Sequence, residues 1–155
     1  MLELHFNYNY DLTDVGAKVS AAVAAKLTEL THQLYNKVQE NLSGRILQKQ
    51  SGQLAGSIQQ TIETNDEVII GTVFPSPASP KAWALEKGGV AAYDIVPIKA
   101  KLLHFITKEG QEVFAHHVTH PPSKEFAYLR LALEEMAPII PAEFQQAIQA
   151  VFDGV

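Results

Sequence analysis

The 155-residue chain contains no cysteine, so disulfides, thiolate metal centres and cysteine nucleophiles are excluded together. That absence suits an intracellular or virion protein better than a small, disulfide-stapled secreted domain. Charge is also scarce, with Asp, Glu, Lys and Arg at 19% of residues and a formal balance of −5. An acidic balance argues against a protein whose main task is neutralising phosphates. Apolar runs are short, and no window approaches the ~18 residues of a membrane span. The opening MLELHFNYNYDLTD is acidic and polar where a signal peptide carries a basic patch and an apolar run, so none is expected. Repeats, low-complexity tracts, phosphate loops and dinucleotide fingerprints are missing too.

What is present is an ordinary globular composition, 46% apolar, at a length that suits a single domain over residues 1–155. Residues 1–10 alternate Leu2, Leu4, Phe6 and Tyr8 against Glu3, His5 and Asn7, the period of a strand or arm with one buried face. A long helix is expected over 13–43, where Val15, Val19, Val23, Leu27, Leu30, Leu34, Val38 and Leu42 form one stripe. Asp11 or Thr13 can cap its start, and Gly44 is placed to end it. At ~45 Å it is longer than a domain of this size needs, which suggests that a neighbouring subunit covers part of the stripe. A strand region follows over 57–120, broken by a Pro-rich loop at 75–81, by a short helix closed at Gly88 and Gly89, and by Pro97, which suits an edge position. C-terminal helices occupy 124–152, interrupted at Pro138 and Pro141. The order defines an α+β fold, with a long N-terminal helix and C-terminal helices packed on a mainly antiparallel sheet.

His116, His117 and His120 crowd into FAHHVTHPPSKEF, the strongest local hint of metal chemistry. Zinc needs ligands within about 2.0–2.3 Å of one ion. Read as one strand, VFAHHV places His116 and His120 on one face but ~13 Å apart, with His117 opposite. No histidine or carboxylate stands at supporting spacing, so the three are read as surface or interface residues. A metal-dependent hydrolase using His116, His117 and His120 is kept as the alternative. No serine lies in a nucleophile elbow, and Glu86 beside Lys87 is read as a structural ion pair. No enzymatic activity, cofactor or metal is expected. A monomeric module that binds peptides along a sheet edge is a further alternative.

Four segments taken in order resemble the tail-completion and head–tail joining proteins of long-tailed bacteriophages and prophages. SGQLAGSI at 51–58 is similar to the family's "TG-x-L-x-x-S-I" element through Gly52, Leu54, Ser57 and Ile58. KAWALEKGG at 81–89 is similar to "Y-A-x-x-x-E-x-G" through Ala82, Glu86 and Gly88. IVPIKAKLLHF at 95–105 matches a third element at Ile95, Pro97, Ala100, Lys101, Leu103 and Phe105. The fourth resembles "V-x-x-x-V-x-H-P-G-…-P-F-L-x-x-A-L" through Val118, His120, Pro121, Phe126 and Leu129. Ser51, Trp83, Pro122 and Tyr128 depart from the pattern, and residues 1–10 lie outside it.

These residues also have a physical reading as a scaffold. Gly52 and Gly56 are expected to turn the chain closely, Leu54 and Ile58 to anchor that turn, and Phe126, Leu129, Leu131 and Leu133 to seat the last helices. The resemblance implies a virion structural part: a homo-oligomeric ring at the neck that completes the tail and joins it to the portal and adaptor proteins. The tail terminator or tail tube would be its partner on the other side, and the closely related tail-terminator role is the nearest alternative. DNA would pass through the lumen without specific binding, no membrane would be involved, and assembly would take place in the host cytoplasm. The loop PSPASPK is expected to order only against a partner ring.

Overall fold

The stripe of apolar residues dictates the first element. In the computed structural model, which describes residues 12–47, 52–64, 68–107 and 109–154, helix α1 runs Leu12–Glu40. It continues into a wider π-helical turn, Asn41–Arg45, that stops at Gly44 with φ 125°. Gly44 therefore ends the helix as its position predicts. The stripe is not evenly covered. Leu30, Val38 and Leu42 are buried, whereas Val15, Val19, Val23 and Leu27 are only partly so. The strand expected over 1–10, the capping side chains of Asp11 and Thr13, and Ser51 lie outside the described residues.

A short helix α2 (Gln53–Gly56) leads into β1 (Ile58–Thr64), which pairs antiparallel with β2 (Ile69–Pro75) from Ile58↔Pro75 to Thr64↔Ile69. Alternation along this register turns Ile58, Gln60, Gly71 and Val73 toward α1, and Thr61, Glu63, Ile70 and Thr72 outward. Gly71 permits the close packing: a Cβ there would collide with Thr31 Oγ1 of α1.

The remaining strands form two more ribbons. β3 (Tyr93–Ile95) pairs with β6 (Val118–His120), and β4 (Leu103–Ile106) pairs with β5 (Glu112–Ala115), both antiparallel. The fold is thus α+β with antiparallel pairing, but among the described residues the expected sheet is divided into three two-stranded ribbons. Of these, β1–β2 is the ribbon that packs along α1. Short strands of three and four residues, each broken by a bend or a proline, leave too few backbone groups in line to join a wider ladder.

Helix α3 (Pro80–Lys87) precedes β3, and helices α4 (Tyr128–Met136) and α5 (Ile140–Asp153) close the chain. Pro80 and Pro141 sit in the first turns of α3 and α5, where a missing N–H costs nothing. The polar contacts fix the direction of packing. Asn41 meets Tyr128, Lys37 meets Glu135, and Lys26 meets Glu143, so α4 and α5 return antiparallel along α1. Much of the surplus stripe is therefore covered by α5 of the same chain. The core lies where α1, α2, β1 and α4 meet, around Val38, Leu42, Ile58, Tyr128 and Ala132.

The Pro-rich loop closes on itself. Ser79 N–H donates to Ser76 O (2.9 Å), Ala78 N–H to Ser76 Oγ (3.3 Å), and Ser76 N–H to Ser57 O (2.7 Å).

Candidate functional site: a polar clasp and an exposed ribbon end

Two arrangements gather the residues singled out in the sequence. The first is buried. Glu86 is 7% exposed, and its carboxylate accepts hydrogen bonds from the backbone N–H groups of Leu129 (2.8 Å) and Arg130 (2.9 Å). The first N–H groups of a helix have no partner within it, so a carboxylate there satisfies them and complements the helix dipole. Ala127, the residue before α4, offers no side-chain cap and has φ 49°, an uncommon conformation for alanine. Glu86 supplies the cap from α3. The backbone completes the clasp, with Phe126 N–H donating to Leu85 O and Ala127 N–H to Glu86 O. The expected Glu86–Lys87 ion pair is not formed, since Lys87 instead lies over the Trp83 ring, 5.2 Å from its centroid.

Tyr128 sits at the centre of this clasp, fully buried, with its hydroxyl donating to Ala82 O (3.2 Å). Burial, helped by the nearby Glu86 charge, pushes its phenol up to about 12. Its carbonyl accepts from Nδ2 of the buried Asn41 (2.9 Å). Sequence reasoning treated Tyr128 as a departure from the family pattern and passed over Asn41. The available signal was a polar residue in register with the apolar stripe, three positions after Val38.

Other motif residues act as expected. Gly52 adopts φ 74° ahead of α2, Leu54 packs on the core, and Ile58 is buried in it. Ser57 Oγ donates to Leu54 O (2.7 Å). Gly88 ends α3 with φ 63° and ψ −147°, a conformation essentially confined to glycine, and a Cβ there would lie 2.9 Å from Glu125 N. Gly56 departs from expectation. It has no positive φ and open space around it, so Gly44 and Gly52 make the turn. Phe126 and Leu129 are half-buried, and α4 begins at Tyr128, with residues 123–127 non-helical ahead of it.

The second arrangement is exposed. Pro97 and Lys101 lie on the segment joining β3 to β4, and Val118, His120 and Pro121 lie on or beside β6. Ile98 at the tip of that segment is 95% exposed, with Val96 at 57%. Ile106 (63%) and Phe114 (60%) add apolar surface on β4–β5. Isolated two-stranded ribbons are marginal in water without a covering layer. These ribbons carry apolar side chains that the described residues leave exposed.

His104 and His120 lie on these ribbons, and His116 and His117 lie in the break between β5 and β6. The strand expected through VFAHHV breaks at His116 and His117, so β5 and β6 pair with different partners and His116 and His120 do not share a strand. His120 stacks on Tyr93, with ring centroids 4.9 Å apart, and its Nδ1 lies 2.7 Å from Pro121 O. His104 stacks on Phe114 with centroids 4.6 Å apart. Among the described residues, no three His, Asp or Glu side chains converge on a point where they could hold a metal ion. Among the same residues no helix is long and apolar enough to cross a membrane. No family model, curated protein or solved structure matches the chain.

Proposed function

We propose that the protein is a structural component of a tailed-phage virion, assembling as a ring at the head–tail junction. There it completes the tail and connects it to the portal and adaptor proteins. The observation that carries this reading is the ordered set of four motifs, together with the way their residues are used. Glu86 of the second motif caps the helix that holds Leu129 of the fourth, and Gly88 makes room for the chain just ahead of it. The third motif forms the exposed segment between β3 and β4. A signature of caps, turn glycines and core anchors belongs to a scaffold, and the uncovered ribbon face is what a ring subunit presents to its neighbours.

The test is co-sedimentation of the purified chain with purified tail tubes and, separately, with portal–adaptor assemblies. Binding to both supports a neck ring. Binding to tubes alone, with control over tube length, assigns the tail-terminator role instead. Retention of stoichiometric zinc with hydrolytic activity abolished by His116→Ala would replace both with the metal-dependent hydrolase.

A further inference from the structure

Charge is divided unevenly along the chain. Residues 95–108 hold Lys99, Lys101, Lys108 and His104 without a single acid, whereas residues 50–80 hold three acids and no lysine, arginine or histidine. Both stretches expose apolar side chains. In the first, Val96, Ile98 and Leu102 project from the segment between β3 and β4, flanked by exposed Lys99 and Lys101. In the second, Ile70 is 48% exposed on the outward face of β1–β2, directly across the ladder from exposed Glu63, and Val68 beside it is 49% exposed.

We propose that these two patches are the two halves of one interface between copies of this chain. The Val96–Leu102 tip of one subunit docks on the outward face of β1–β2 of the next, placing Ile98 against Val68 and Ile70, and Lys99 or Lys101 near Glu63. The proposal rests on the ring reading and deepens it by naming the surfaces that close the ring.

Three observations select a second copy as the occupant. Apolar surface of similar kind meets on both sides, and the charges are opposite in sign, which favours encounter and fixes orientation. A symmetric tip-to-tip contact would set lysine against lysine, so the tip meets a different patch, an arrangement that a heterologous, ring-forming contact can use. An anionic membrane or DNA would attract the tip but repel the rest of a chain whose net charge is −5.

The experiment mixes unlabelled and 15N-labelled full-length protein at the highest attainable concentration and treats the mixture with a carbodiimide, which joins a lysine amine to a carboxylate in contact. The expected result is Lys99–Glu63 or Lys101–Glu63 peptides of mixed isotope, which can only form between chains. They cannot form in Lys99→Glu/Lys101→Glu, which lacks both amines, so that variant alone serves only as the blank. They should recover when that variant is mixed with Glu63→Lys, the new links joining the same positions with amine and carboxylate exchanged. Ile98→Asp, at an almost fully exposed site, should reduce them without altering thermal stability. Absence of mixed-isotope cross-links in the wild type, or no recovery in the charge-exchanged mixture, overturns the proposal. So does binding of the wild-type chain, lost in Lys99→Glu/Lys101→Glu, to phosphatidylserine vesicles with no cross-linking between chains. Tail-end binding without these cross-links removes this interface and leaves the neck reading standing; cross-links without tail-end binding do the reverse.

Discussion

At the residue scale, a few polar side chains in apolar company fix how the elements of this fold meet. Glu86 replaces the missing cap of α4, so Glu86→Ala should cost about 2 kcal/mol in chemical denaturation, since it strands two partly buried N–H groups. Glu86→Gln keeps one acceptor and should cost about half as much. The glycines divide sharply. Gly71→Ala meets Thr31 and should cost about 1–3 kcal/mol, and Gly88→Ala at least as much, because it adds backbone strain to a contact with Glu125. Gly56→Ala, with open space and an ordinary φ, should be neutral or stabilising by up to ~1 kcal/mol. Sequence alone identified Gly44, Gly52 and Gly88 because each follows or precedes a helix, where a positive φ is commonly needed. It misassigned Gly56 and passed over Gly71, because close approach between a strand and a helix depends on partners far apart in the chain. Glu86 was recognised as structural but given to its neighbour Lys87, since nothing local indicates that a helix over forty residues later lacks a cap.

At the scale of elements, α1 with its terminal turn and the returning α4–α5 pair form the helical layer, stitched by Lys26–Glu143, Lys37–Glu135 and Arg45–Glu135. The stripe on α1 was plain in the sequence from its spacing of threes and fours. That α5 covers its early part was not, because an amphipathic helix states which face it buries and not against what. Glu135 is held down to about 2 by hydrogen bonds from Arg45 and then Lys37. A carboxylate with a depressed folded value contributes stability that is fully present above its ordinary value near 4.5 and is lost as pH falls through about 2. Melting temperatures of wild type and Glu135→Gln should therefore differ most above pH 4.5 and converge toward pH 2. A difference that grows on acidification would contradict this assignment. The antiparallel strands were also legible from alternation, but their division into three ribbons was not. Breaks at His116–His117 and after Ile95 come from local bends and Pro97, and strand partners are set by the whole chain.

At the scale of the whole molecule, a helical body with a polar clasp carries two short ribbons whose apolar faces have no cover among the described residues. The clasp of Glu86 and Gly88 ties α3 to α4, and in the proposed ring the exposed ribbons are the surface offered to neighbouring subunits. The most direct measurement of the neck assignment is electron microscopy of purified tail tubes incubated with the protein. A ring of density at one end of each tube, absent without the protein, is the predicted result. Bare tube ends, with the protein left as free monomer beside them, would contradict it.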